Sequence, residues 1–194
     1  MSTINVTRDF IDKKEISFYI NLINQLEKDK LQHFSTWQNG NRIALSFGNS
    51  ENDYQSNISA RPNFDILSGA QVDAVRSLIS RVVENMKTTY EVEGKLYVCS
   101  FWFAKQYPGG VVLEHEDTDE GINMHFEHSV LLYLNTVTAG GELVFTDLGT
   151  SHKPRAGDLV SFRTVGTGKH SVPEVLEDRY SLVFWTTKDK NYEL

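Results

Sequence analysis

The segment Leu113-Glu114-His115-Glu116-Asp117 sets an imidazole and a carboxylate two residues apart. On an extended chain, residues two apart point to the same side, so His115 and Asp117 can bind one ion together. One imidazole plus one carboxylate is two-thirds of the facial triad that leaves positions open on Fe(II). A His-x-Asp pair also recurs by chance, and alone it reads as a solvated loop. The third ligand must come from a distant part of the chain that folds beside the first two. His170, in Gly168-Lys169-His170-Ser171-Val172, follows a Gly-rich turn and opens a short apolar stretch.

Nine residues on, Arg179 heads the otherwise apolar run Arg179-Tyr180-Ser181-Leu182-Val183-Phe184-Trp185. An arginine there is either a surface residue at a strand end or a buried guanidinium, which is costly without an anion. A dicarboxylate ligand would supply one, since the planar fork of Arg matches carboxylate geometry. Ser181 falls on the same strand face, where its hydroxyl could bond the same carboxylate. Of the remaining histidines, His125 and His128 read as loop or substrate-side residues rather than ligands. His33 and His152 read as surface residues.

These groups need elements to position them, and the chain changes character near residue 95. Before it, Ile16, Ile20, Ile23 and Leu26 recur at helical spacing within Asp12 to Lys28. Ser68 is placed to cap a second helix striped by Val72, Val75, Leu78, Ile79, Val82, Val83 and Met86. Both stripes are core-facing surfaces. Between them, Phe47 to Asn63 reads as a long loop rich in Ser, Asn, Gly and Asp. From Lys95 onward, strand composition marks Lys95 to Phe103, His128 to Asn135, Glu142 to Thr146, Asp158 to Phe162 and Arg179 to Thr187. Helices followed by short strands predict an α+β chain, a β-sandwich or barrel buttressed by N-terminal helices. No boundary is visible, so one domain over 1–194 is expected, helical to about 94 and β-rich from about 95.

Composition excludes several classes. The 194 residues allow one sizeable core, and 40% hydrophobic with 23% charged residues is globular composition. Cys99 is the lone cysteine, which rules out an intrachain disulfide and a cysteine-rich zinc site. The N-terminal MSTINVTRDFIDKKE has no apolar signal region and no run spans a bilayer. A reducing, cytoplasmic location is therefore expected, and the two Asn-x-Ser/Thr tripeptides read as chance. A net charge of -7 argues against a general nucleic-acid grip.

From Tyr107 to Trp185 the chain resembles the prolyl 4-hydroxylase-like branch of the 2-oxoglutarate/Fe(II) dioxygenases. The features that carry this begin with Tyr107-Pro108-Gly109-Gly110 and His115-Glu116-Asp117. They continue through Leu132-Tyr133-Leu134-Asn135, Gly140-Gly141-Glu142-Leu143-Val144-Phe145 and Pro154-Arg155-Ala156-Gly157-Asp158-Leu159-Val160-Ser161-Phe162. They close with His170-Ser171-Val172 and Arg179-Tyr180-Ser181. Any one of these is unspecific; the ordered set, over about half the chain, is not.

The resemblance implies a double-stranded β-helix (jelly-roll) with iron near one mouth, held by His115, Asp117 and His170. It implies Arg179 on the far carboxylate of 2-oxoglutarate, with Tyr107, Tyr133 and Ser181 lining or holding that co-substrate. O2 is the oxidant and ascorbate a supporting reductant. Asp117 stands where related halogenases carry a small residue, so hydroxylation is implied over halogenation. The expected substrate is a peptidyl prolyl residue, and the loops over Phe47 to Asn63 and Asp119 to Phe126 are candidates to close over it. A free amino acid or other small molecule is the alternative substrate. Nucleic-acid demethylation is disfavoured, because Thr186-Thr187-Lys188 stand where that branch has a second arginine. From other classes, a metal-free β-barrel binding module predicts no 2-oxoglutarate turnover. A zinc hydrolase lacks a dedicated general base.

Overall fold

The computed structural model of the protein describes residues 4–37, 41–48, 64–118, 123–167 and 169–194. The elements before residue 95 are β1 (Asn5–Thr7), α1 (Lys13–Lys30), β2 (Ser35–Trp37), β3 (Arg42–Gly48) and α2 (Gly69–Tyr90). Then come β4 (Tyr97–Gln106), β5 (Val112–His115), β6 (His128–Tyr133), β7 (Leu143–Phe145) and β8 (Thr150–His152). The chain ends through β9 (Leu159–Arg163), β10 (His170–Val172) and β11 (Arg179–Thr187).

Both helices start on capping boxes, in which a side-chain oxygen and a later polar side chain satisfy amides that have no intrahelical partner. Asp12 Oδ1 accepts from the amides of Lys14 and Glu15 at 2.8 and 2.9 Å, and Glu15 bonds back to the Asp12 amide. Ser68 and Gln71 do the same for α2, with Ser68 the cap expected from the sequence. The buried face of α1 is Tyr19, Leu22, Ile23 and Leu26, with Ile16 and Ile20 only partly covered. That of α2 is Val75, Leu78, Val82 and Met86.

Two antiparallel sheets follow from the pairings. One has the order β1-β9-β6-β11-β4-β3-β2, the other β5-β10-β7-β8. Side chains alternate across a strand, and β6 uses the alternation to serve two cores. Val130 and Leu132 join the cluster that α1 and α2 cover, while Leu131 and Tyr133 join Leu143, Phe145, Val160, Phe162, Val172 and Val175. The second cluster draws on both sheets, so the seven-stranded sheet is buried on one face by helices and on the other by the four-stranded sheet. A strand buried on both faces reads as an unbroken apolar run, which is how His128 to Asn135 looks in sequence.

The first half of the chain is not simply helical. β1, β2 and β3 extend the large sheet at both ends, and Ile43, Leu45 and Phe47 form a period-two buried row. Phe47 closes that row instead of opening a loop; residues 49–63 lie outside the described residues. Of the second expected loop, 119–122 lie outside them too, and Phe126 is buried against Cys99 and Trp185. Trp185 is thus core, as is Phe103. Among the described residues, no helix is long and apolar enough to cross a membrane.

Candidate metal centre

β10 runs antiparallel to β5 with His170 opposite His115, and the register shifts between this pair and Val172 opposite Val112. The shift is a bulge that gives β5 one extra residue. Such a residue re-aims its neighbours, and here Leu113 and Glu114 face solvent while His115 meets His170, ring centroids 4.4 Å apart. Just past the strand, Asp117 reaches both histidines. Its Oδ1 lies 3.4 Å from His115 Nε2 and its Oδ2 3.7 Å from His170 Nε2. Among the described residues, these three form a group able to hold a metal ion, with ligand atoms within 4.8 Å of one another.

The surroundings fix these groups for that use. His115 Nδ1 lies 2.8 Å from the Leu113 carbonyl. A carbonyl only accepts, so Nδ1 carries the hydrogen and Nε2 turns its lone pair to the cluster. Asp117 Oδ2 accepts from the hydroxyl of Ser129, on β6 of the other sheet. Burial would lift the Asp117 carboxyl, but His115, the charge of His170 and the Ser129 hydroxyl outweigh it and hold the group well below the carboxylate range. Burial works to lower both imidazoles; Asp117 overcomes it at His115, which rises, but not at His170, which falls. A carboxylate facing imidazole lone pairs at these distances calls for a cation between them. Two nitrogens and one carboxylate oxygen on one side of a site are the donor set that suits Fe(II) with positions left open.

At the start of β11, in the seven-stranded sheet, stands Arg179, 4% exposed. Its Nη1 donates to Gln106 Oε1 at 2.5 Å and its Nη2 to Tyr133 Oη at 3.3 Å. The guanidinium carbon also sits 5.0 Å from the Tyr133 ring centroid. Arg179 Nε has no partner, and among the described residues no carboxylate pairs with this arginine. Gly141, at φ +69°, makes room for it: a Cβ there would lie 3.3 Å from Arg179 Cδ. The Gly140-Gly141 pair is therefore a tight turn with a packing duty. On β6, Ser129 steadies Asp117 and Tyr133 contacts Arg179, four residues or about 13 Å apart along one strand face. The two stations thus share one inner surface.

Ser181 is buried one step along that face from Arg179 and pairs in register with Tyr133. Tyr107 stands elsewhere. It shares a strand face with Lys105, and its hydroxyl donates to Glu27 of α1, while Lys105 Nζ lies 4.4 Å from its ring. His152 is not a surface residue: its ring stacks 5.6 Å from Tyr133 and its Nε2 lies 3.5 Å from buried Asp158. His128 bonds Thr186 Oγ1 at 2.9 Å, and His125 stacks on Tyr192 at 3.8 Å; neither joins the cluster.

Sequence reasoning misses Ser129, Gln106 and Arg42. Counting by twos back from Tyr133 would have found Ser129. Gln106 and Arg42 depend on register, since Arg42 lies opposite Gln106 and Gln106 opposite Arg179 across three strands. Burial, then the charge of Arg179, pushes the Arg42 guanidinium down to about 10 against the pull of Asp117.

Comparison with known proteins agrees with this geometry. Residues 101–187 match the family described as the 2OG-Fe(II) oxygenase superfamily. Prolyl 3-hydroxylase 2 of Gallus gallus is 36% identical over 72 residues, 34% of this chain, and the human protein 35% over the same length. The chain spans about a tenth of the length of these relatives. Among solved structures, a prolyl-4-hydroxylase from Pseudomonas putida superposes with a TM-score of 0.65 at 17% identity, covering 97% of this chain and 94% of that one. The viral collagen prolyl hydroxylase of Paramecium Bursaria Chlorella virus-1 gives 0.62 at 16% identity, covering 96% of each chain. At such identities the likeness is one of fold. The matched segment, residues 101–187, carries His115, Asp117, His170 and Arg179.

Proposed function

We propose that the chain is a 2-oxoglutarate- and Fe(II)-dependent hydroxylase acting on a peptidyl prolyl residue, and that 1–194 form one dioxygenase domain. His115, Asp117 and His170 hold the iron, and Arg179, with Tyr133 and Ser181, holds the far carboxylate of 2-oxoglutarate. The observation that carries the reading is the three-ligand cluster at one end of an inner face whose other end is a buried arginine with no anionic partner among the described residues. Two antiparallel sheets enclosing an apolar layer, with helices on the outer face, support a double-stranded β-helix buttressed by N-terminal helices. Tyr107, on the opposite strand face, takes no part.

Bound iron and 2-oxoglutarate supply the oxidation, in which O2 places one oxygen in succinate, with release of CO2, and one in a C–H bond of the substrate. The chain's own residues do narrower work. His115 and His170 offer neutral nitrogens, and Asp117 offers the anionic ligand, fixed by Ser129. Arg179 balances a carboxylate beside Tyr133, which packs in the buried cluster of Leu131, Phe145, Phe162 and Val172. Removing Arg179 takes away a charged partner of a buried anion, worth about 2–5 kcal/mol. Arg179→Ala therefore raises the 2-oxoglutarate requirement by about thirtyfold or more while Fe(II) still binds. Unchanged co-substrate affinity in that variant contradicts the assignment.

Prolyl substrates are favoured by the likeness to prolyl 3-hydroxylase 2 and to the prolyl hydroxylase structures. A small-molecule substrate has one observation behind it, the shared fold of the epimerase SnoN from nogalamycin biosynthesis, at a TM-score of 0.65 and 14% identity. Incubation with proline-rich peptides separates the two. A gain of one oxygen on proline supports the first reading; 2-oxoglutarate turnover that no peptide stimulates supports the second.

A further inference from the structure

The residue beside Arg179 is as unusual as Arg179 itself. Gln106 ends β4, is 2% exposed, and faces Arg179 across the β4–β11 pairing. Arginine only donates, so the oxygen of the Gln106 amide must face it, and Oε1 accepts from Nη1 at 2.5 Å. This leaves the amide nitrogen, a two-hydrogen donor, buried with no partner among the described residues. A buried polar group without a partner is costly, and the arginine to which Gln106 is bonded carries a second donor with no partner among the described residues, Nε. Tyr133 Oη accepts from the other arm of the guanidinium. The arginine is therefore clamped on both sides by acceptors, while the donors left over at this spot are Gln106 Nε2 and Arg179 Nε. Two buried donors left over on one hydrogen-bonded pair, one of them on a cation, suit a carboxylate.

We propose that Gln106 is a binding residue for the far carboxylate of the 2-oxo acid: Oε1 fixes the Arg179 guanidinium and Nε2 donates to the carboxylate beside it. This rests on the assignment of Arg179 to that carboxylate. It gives the pocket its selectivity for a dicarboxylate over a 2-oxo monocarboxylate, because only the dicarboxylate satisfies both donors.

The test is calorimetric titration of the anaerobic Fe(II)-loaded protein with 2-oxoglutarate and with 2-oxobutyrate, which lacks the far carboxylate. Gln106→Met keeps volume but loses both the acceptor on Arg179 and the donor. Its Kd for 2-oxoglutarate rises about tenfold or more, as for a lost hydrogen bond to a charged group, while its Kd for 2-oxobutyrate stays within about twofold of wild type. Gln106→Glu keeps an acceptor on Arg179 but replaces the donor by a second carboxylate oxygen, which neutralises the guanidinium and repels the ligand's carboxylate. It loses 2-oxoglutarate affinity by more than the Met variant and melts no lower than wild type, so misfolding is not the cause. Equal weakening of both acids in the Met variant, or wild-type 2-oxoglutarate affinity in both variants, overturns the role given to Gln106. If Arg179→Ala binds 2-oxoglutarate as wild type does, the underlying assignment fails instead.

Discussion

At the scale of single residues, the candidate centre depends on groups that hold the ligands as much as on the ligands. Asp117 sits past the end of β5, and the Ser129 hydroxyl ties its carboxylate to the opposite sheet. Groups that orient a metal ligand commonly change metal affinity by 10–100-fold when removed. Ser129→Ala is thus expected to weaken Fe(II) binding by at least about tenfold in a metal titration, with little change in thermal stability of the metal-free protein. An unchanged metal affinity would mean that Asp117 is positioned by other contacts. Much at this scale was legible in the sequence. His115, Asp117, His170 and Arg179 are candidates by residue type, spacing and an arginine in an apolar strand, and the ordered family resemblance is what singles them out. Gln106 and Ser129 are not, because an amide or hydroxyl in a strand becomes informative only when the pairing register shows what it faces.

At the scale of elements, two backbone features set the site. The bulge in β5 turns His115 toward His170, and the turn before β7 sets Gly141 against the stem of Arg179. Gly141 adopts φ +69°, a conformation that costs an L-residue about 1–2 kcal/mol. Gly141→Ala combines that strain with a contact at 3.3 Å to Arg179 Cδ. The expected result in steady-state kinetics is a several-fold rise in KM for 2-oxoglutarate with kcat at saturation nearly kept. A fall in kcat alone would show that the turn acts on something other than Arg179. Element boundaries past residue 95 follow the sequence closely, since β6, β9 and β11 are apolar runs between turn residues. β1, β2, β8 and β10 are three residues each, too short to show a period. β3 is different: its Ile43, Leu45 and Phe47 alternate visibly, but the helical patterns on either side obscure them.

At the scale of the whole molecule, the large sheet is covered on both faces, so groups at its heart titrate with folding. His128 opens β6, is 1% exposed and packs 4.2 Å from the Tyr90 ring of α2. Burial, then the charges of Arg163 and Lys188, pushes its imidazole down to about 4. The unfolded chain, with an ordinary histidine near pH 6.5, binds more protons across that interval. The folded state is therefore at full strength above about pH 6.5 and loses stability as pH falls toward about 4, by up to about 3 kcal/mol at 1.36 kcal/mol per unit. Urea unfolding of wild type and His128→Gln across this range should give a shallower pH dependence in the variant; parallel curves would remove His128 as the cause. The helix-covered sheet and its apolar inner layer follow from patterns in the sequence. The order of strands does not, because pairing between distant segments leaves no local mark.

The reading of the cluster as an iron centre that drives oxidation of 2-oxoglutarate is tested most directly by succinate formation. The assay contains Fe(II), ascorbate and 2-oxoglutarate, with and without proline-rich peptides, and compares wild type with Asp117→Ala. The account predicts Fe(II)-dependent succinate from wild type, at least a hundredfold less from Asp117→Ala, and a circular dichroism spectrum shared by both. Equal succinate from the two proteins, or none from wild type in any of these mixtures, contradicts it.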